Sequence, residues 1–151
     1  MKAAVVLAIT AAVALGGCAT IDPERPPEFS QRPKPPAVQF EIELTAGFAG
    51  RLAIEDGCIG FVARFGETER FTTLVWPWNA RLERAATGWQ VRRTDNGAIF
   101  AIGGPLVGGG GFLPDLSTEE LRRYNRSLAR PLSMVCAAKG AWTLNRDFHP
   151  G

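Results

Sequence analysis

Few residues of this sequence are suited to acid–base or nucleophilic chemistry. The single histidine, His149, lies two residues from the end, so a serine or cysteine nucleophile has no clear imidazole base, and no ligand spacing around it suits a metal. The adjacent carboxyl groups of Glu55 and Asp56 are the kind of pair that glycosidic chemistry uses. Neighbouring residues of a strand face opposite ways, however, and Asp56-Gly57 is typical of a turn. The sequence therefore favours a protein without catalytic activity.

The segment AIGGPLVGGGGF, residues 101–112, holds six glycines and could be a phosphate-binding loop. A Walker-type loop needs a lysine and a hydroxyl residue before a helix, and Gly109 and Gly110 stand in those places. The dinucleotide fingerprint is not met either, because no βαβ pattern surrounds the segment. Glycines within strands instead mark bulges, sharp corners or close backbone approach. We therefore predict a structural role for this segment and no cofactor.

The segment VWPWN is a candidate contact surface. Trp76 and Trp78 flank Pro77, which cannot donate to a central ladder and so indicates a strand end or an edge. Two indoles at an edge could stack on a sugar or a peptide. The alternative is that one or both tryptophans fill the end of the core.

A second candidate surface is basic. Arg122, Arg126 and Arg130 recur every four residues, so on a helix they would share one face. That face could meet anionic lipid, lipopolysaccharide phosphate or peptidoglycan carboxylates. The alternative is a solvated face on which Glu119 pairs with Arg122 or Arg123.

The N-terminus carries the most specific pattern of the sequence. Lys2 precedes an apolar run, residues 3–15, which is shorter than the ~20 residues of a membrane-spanning helix and fits a secretory leader. The run ends in LGGC, residues 15–18, which resembles the lipobox of bacterial lipoproteins. The resemblance implies that residues 1–17 are a signal peptide and that Cys18 carries the lipids, palmitate among them. Ala19, rather than an aspartate, implies the outer membrane of a diderm bacterium. The alternative is an ordinary secretory signal with an incidental cysteine.

Export to an oxidising compartment changes how the remaining cysteines are interpreted. The mature chain would keep Cys58 and Cys136 beside Cys18, and an even pair in an exported protein predicts a disulfide. The alternative is two buried free thiols. Several acyl chains would hold the protein durably to a membrane without a transmembrane helix. The near balance of 17 basic and 15 acidic residues argues against a nucleic-acid partner.

Residues 18–37 are predicted to be a tether after the lipidated cysteine. Residues 19–37 hold six of the eleven prolines, a composition that prefers an extended polyproline helix and could space the domain roughly 60 Å from the lipid. Residues 38–151 are long enough for one domain with a core but not for two.

The domain is predicted to be mainly β. Apolar and polar residues alternate in 38–45, 51–55 and 58–65, and β-branched and aromatic residues are frequent in 70–76 and 89–94. Asp95–Gly97 predicts a hairpin turn that leads into a strand at 98–102. Ser117 and Glu120 form a capping box, which predicts one short helix near residues 117–129, followed by strands at 132–137 and 141–145. This order predicts a small β-barrel or sandwich, with an OB-like barrel as one form.

Several short motifs also resemble those of small all-β lipoproteins of bacterial envelopes. They are a cysteine in a strand, LVWP, a glycine-containing hairpin, a glycine-rich turn and a second cysteine before an aromatic strand, at Cys58, Leu74, Val75, Trp76, Pro77, Gly88, Gly97, Gly108, Gly109, Gly110, Cys136 and Trp142. The resemblance implies a β fold and a disulfide and carries no catalytic residue. We therefore expect a membrane-anchored periplasmic lipoprotein that serves as a non-catalytic binding or assembly module, with an envelope protein, peptidoglycan or lipopolysaccharide as partner. The alternatives are a structural spacer lipoprotein and a cell-wall or lipid hydrolase.

Overall fold

The computed structural model describes residues 24–37, 46–113 and 115–151. The predicted signal peptide, Cys18 and the strand predicted at 38–45 lie outside the described residues. No helix in the described part of the chain is long and apolar enough to cross a membrane.

The described elements are mostly strands. In chain order they are β1 (Ser30–Gln31), β2 (Ala46–Glu55), β3 (Cys58–Phe65), β4 (Thr68–Trp76), β5 (Ala80–Ala85), β6 (Gly88–Arg93), β7 (Ile99–Ala101), β8 (Pro105–Leu113), α1 (Thr118–Asn125), α2 (Met134–Ala137) and β9 (Ala141–Leu144).

Five strands close into a barrel. β2, β3 and β4 form an antiparallel meander, and β8 pairs with the other edge of β2. β9 then closes the sheet, because it pairs antiparallel with β8 and parallel with β4. A five-stranded barrel of this kind is the OB-type architecture, so the prediction of a small β-barrel with a short helix is confirmed.

The interior of the barrel is apolar and one end of it is covered. Leu52, Phe61 and Leu74 face inward from three successive strands and are fully buried. A second antiparallel sheet, β5-β6-β7, packs Val91 and Phe100 against the same cluster. The hairpin between β6 and β7 forms where Asp95–Gly97 predicts it, with positive φ at Gly97.

A second apolar cluster lies outside the barrel, where the chain between β8 and β9 packs on β3 and β4. The cluster contains Val75 of β4 and Cys58 of β3. Packed with them are Leu121 of α1, Leu132, which precedes α2, and Cys136 of α2. Cys58 and Cys136 are joined by a disulfide with their Cα atoms 5.6 Å apart, which confirms the predicted bond.

The strand predicted at residues 132–137 is wrong, because this segment contains the helical turn α2. Ser133 is its N-cap, and the Ser133 hydroxyl oxygen accepts the Cys136 N–H at 3.2 Å. The buried residues of the segment, Leu132 and Cys136, are four apart, as on a helix, and not two apart, as on a strand.

Part of the predicted tether is built into the domain. β1 pairs parallel with the end of β4, Ser30 opposite Val75, and the Glu28 N–H donates to the Gly57 carbonyl at 2.7 Å. Phe29 is 6 % exposed and stacks on Trp76 with ring centroids 5.3 Å apart. A proline-rich composition disfavours a core along the whole stretch, but this one aromatic residue docks in the core formed by the rest of the chain.

Candidate functional site

Trp76 lies in the core and not on a surface. It is fully buried at the end of β4, between the stacked ring of Phe29 and the edge-on ring of Phe148 at 5.6 Å. A partner cannot reach this indole without opening the barrel, so the alternative of a core role applies to Trp76. Its placement removes Trp76 from the predicted contact surface.

Trp78 is half-buried and lies under the N-terminal segment of the same chain. The Lys34 ammonium sits 5.1 Å from the centre of the Trp78 ring, within reach of a cation–π interaction. The Gln31 amide donates to the carbonyls of Pro77 at 3.1 Å and Ala80 at 2.7 Å, and so holds the turn that carries Trp78. Lys34 of the same chain therefore lies over one face of the Trp78 ring.

The three predicted arginines do not form one helical face. α1 ends at Asn125 with Arg126 as its C-cap, and Arg130 lies beyond the helix in backbone pairing with Gln31. Arg122 is exposed and its guanidinium bonds Glu119 at 2.7 Å, while Arg123 bonds the other oxygen of the same carboxylate. A shared face needs a helix that continues through residue 130, and the chain turns before it. This arrangement matches the alternative of a solvent-exposed surface on which Glu119 pairs with the neighbouring arginines.

The carboxylates of Glu55 and Asp56 occupy a tight turn beside a lysine. Asp56 and Gly57 both have positive φ and connect β2 to β3, as the sequence predicts. The Lys139 ammonium donates to Asp56 at 2.7 Å and to Glu55 at 2.9 Å, and these two bonds raise the pKa of Lys139. Both side chains are thus engaged in an exposed ion-pair cluster and do not face each other across a cleft.

The other titratable groups with shifted pKa values also belong to structural contacts. Bonds from the Arg93 guanidinium, and one from Asn79, hold the pKa of Asp95 at about 2 against the opposing effect of burial. The Arg92 guanidinium lowers the pKa of Glu83. Burial raises the pKa of Tyr124, whose hydroxyl lies 3.1 Å from the Thr143 hydroxyl.

One end of the barrel exposes aromatic side chains. β3 and β8 run in the same direction, since both pair antiparallel with β2, and both end at the barrel end that lies away from β5-β6-β7. Phe65 is the last inward-facing residue of β3, and Phe112 is the last inward-facing residue of β8. Their exposed fractions are 48 % for Phe65 and 56 % for Phe112. The sequence places Phe65 in the buried row correctly, but the barrel ends before its ring is covered.

Beneath these two rings lies an aromatic cluster. Phe48 stacks on Phe61 with centroids 4.0 Å apart and meets the edge of Trp142 at 5.6 Å. Trp142 pairs directly with Phe112, and its buried Nε1 has no hydrogen-bond partner in the described residues. We call Phe48, Phe65, Phe112 and Trp142 the aromatic end. Sequence reasoning missed this site: Phe65 ends the strand predicted at 58–65, but Phe112 follows the glycine-rich run, where no strand was predicted.

His149 is exposed, and its ring lies 3.0 Å from the Pro150 carbonyl. Among the described residues, no group of three or more His, Cys, Asp or Glu side chains could hold a metal ion.

No protein-family model, curated protein or solved structure matches this chain.

Proposed function

We propose that this chain is a lipid-anchored periplasmic lipoprotein, on the inner face of the outer membrane, whose domain is a non-catalytic binding or assembly module of the cell envelope. The anchor rests on the LGGC motif with Cys18 as the acylated residue. The binding role rests on one observation, the aromatic end, where Phe65 and Phe112 leave large apolar rings in water.

The aromatic end fits a partner that offers an apolar or ring-shaped group. Exposed aromatic rings above a well-packed base provide rigid contact area with little side-chain entropy to lose. The mouth of a β-barrel is also a frequent place for ligands. An envelope protein segment or a glycan of peptidoglycan or lipopolysaccharide would present such groups.

The ion pairs support a non-catalytic role over the hydrolase. Glycosidic hydrolysis needs one carboxyl group with a raised pKa beside an ionised one. The carboxyl groups of Glu83, Asp95 and Glu120 instead have pKa values that hydrogen bonds to neighbouring side chains lower. The docking of Phe29 in the core in turn weakens the spacer alternative, since it shortens the free part of the proline-rich segment.

The anchor is tested by labelling cells with radioactive palmitate and fractionating them. We expect label and membrane attachment in the wild-type protein and neither in Cys18→Ser. A Cys18→Ser protein that still takes up label and stays in the membrane contradicts the lipidation site.

The binding role is tested by mild crosslinking in membranes, purification of the tagged lipidated protein, and quantitative mass spectrometry of what is captured. Phe65→Ser/Phe112→Ser should lose a partner that the wild type retains. The matched control is Ile99→Ser/Ile102→Ser, which changes two residues, 47 % and 37 % exposed, in β7 and in the turn that follows it at the other end of the barrel. Equal capture by all three forms contradicts a role for the aromatic end.

A further inference from the structure

A separate pair of apolar side chains is exposed on α2. Met134 is 46 % exposed and Val135 is 63 % exposed, and they are consecutive residues at the start of this single helical turn. The opposite side of the turn is fixed, because Cys136 is buried and bonded to Cys58. The pair is therefore held outward by the disulfide.

The N-terminal segment joins the domain next to this pair. A carboxylate oxygen of Glu28 accepts the N–H of Ser133, the residue before Met134, at 2.7 Å. The Ser30 hydroxyl donates to the carbonyl of Pro131 at 2.9 Å. The same stretch pairs with the start of β3 through Glu28 and Cys58. The chain that leads back towards Cys18 thus leaves the domain beside Met134 and Val135.

The length of that chain limits how far this face can move from a lipid on Cys18. Among the described residues, Glu28 is the first whose backbone pairs with the domain, so only residues 19–27 connect Cys18 to the docked segment. Nine residues span at most roughly 30 Å even when fully extended, which is about half the reach of a spacer that runs to residue 37. The first docked residues, and α2 with them, are thus the part of the domain that the anchor restrains most closely.

We propose that Met134 and Val135 are a membrane-contacting pair, which enters the interfacial region of the bilayer that carries the Cys18 lipid. This inference rests on the lipid anchor of the proposed function. An apolar pair alone would bind a bilayer weakly. A lipid anchor already holds the domain at the membrane, so the pair meets the bilayer at a high effective concentration. The contact would fix one orientation of the domain on the membrane.

The test uses the full-length lipidated protein in phosphatidylcholine vesicles and a tryptophan reporter. Val135→Trp places an indole at the pair, and its added emission is measured in vesicles with ordinary and with acyl-chain-brominated phosphatidylcholine, which quenches indoles within the bilayer. Ile99→Trp is the matched control on β7, and the emission of the wild type, with its four tryptophans, is subtracted from both. Met134→Trp provides an independent second reporter at the pair.

We expect brominated lipid to reduce the added emission of Val135→Trp and Met134→Trp and to leave that of Ile99→Trp unchanged. Co-flotation with the vesicles is measured in the same samples. If the proteins float but the three reporters respond alike, or none responds, the orientation is overturned while the anchor stands. If the wild type does not float with the vesicles, the anchor itself fails and the inference fails with it.

Discussion

Gly110 determines how closely β8 can approach β9. A Cβ atom built on Gly110 would collide with the Thr143 carbonyl oxygen and would lie 2.9 Å from Cδ1 of the Trp142 indole. The carbonyl belongs to the neighbouring strand and cannot move without shifting the ladder. We therefore expect Gly110→Ala to lower the free energy of unfolding by about 3 kcal/mol, at the upper end of overpacking costs, in urea denaturation followed by tryptophan fluorescence.

A matched glycine on the neighbouring strand provides the control. A Cβ on Gly47 of β2 would meet only the Gly108 carbonyl oxygen, at an ordinary 4.0 Å. Gly47→Ala should therefore be neutral or stabilise the fold by up to about 1 kcal/mol, since alanine restricts the unfolded chain. Equal destabilisation by both changes contradicts the steric explanation.

Asp95 makes stability dependent on acid pH. Its carboxylate forms two bonds with the Arg93 guanidinium, at 2.5 and 2.9 Å, and accepts one from Asn79 at 3.1 Å. Because its pKa falls from 3.8 to about 2 on folding, the stabilisation is present above pH 3.8 and is lost as the pH falls through 2. The side chain is 39 % exposed, so solvent screening limits the contribution to about 1 kcal/mol.

Asp95→Asn should therefore lose about 1 kcal/mol of unfolding free energy at pH 7, and its difference from the wild type should shrink between pH 4 and pH 2. Chemical denaturation across this pH range measures it. Asp115→Asn, at an exposed position, should stay within about 0.5 kcal/mol of the wild type. A difference at Asp95 that is constant down to pH 2 would show that the ion pair is not its source.

At the scale of elements, local sequence patterns predicted strands and α1 well and failed where tertiary contacts decide. CIGFVARF alternates and forms β3, and the capping box of Ser117 and Glu120 is present in α1. Residues 132–137 mix β-branched and apolar residues, but the disulfide and the Ser133 cap select a helical turn. The strands β5 and β8 were not predicted. ARLERA of β5 is rich in residues that also suit a helix, and Gly108–Gly110, expected as a turn, lie within β8 and pair with β2.

The disulfide connects two elements that lie far apart in the sequence. It links the start of β3 to α2 across 78 residues and lies in the cluster outside the barrel. In the chain-entropy model a loop of this length contributes about 4 kcal/mol. Cys58→Ala/Cys136→Ala should lose stability on that order in urea denaturation. The wild type with excess dithiothreitol should match the variant, and a wild type insensitive to reductant would contradict the bond's contribution.

At the scale of the whole molecule, the pairing of strands distant in sequence could not be predicted. Alternation in each segment indicates a buried face, but it does not say that β9 lies parallel to β4 or that β8 returns to β2. The aromatic end could not be predicted for the same reason, because the exposure of Phe65 and Phe112 depends on where the strands of the barrel end. The sequence alone could not decide whether Trp76 is buried. The two rings that cover it, Phe29 and Phe148, lie near opposite ends of the domain sequence.

The start of the domain can be tested through Phe29. As part of a free tether, this residue could be changed without effect on stability, whereas in the structure it fills the barrel end against Trp76. Phe29→Ala would leave a cavity beside a fully buried indole, which typically costs 3–5 kcal/mol for a large aromatic side chain, or about 4 kcal/mol here. Pro33→Ala, at an exposed position of the same proline-rich stretch, should change the free energy of unfolding by less than about 1 kcal/mol. Urea denaturation of both variants measures the difference. If Phe29→Ala is as stable as Pro33→Ala, the domain begins after the proline-rich stretch, the anchor can hold it farther from the bilayer, and the orientation through α2 loses its main argument.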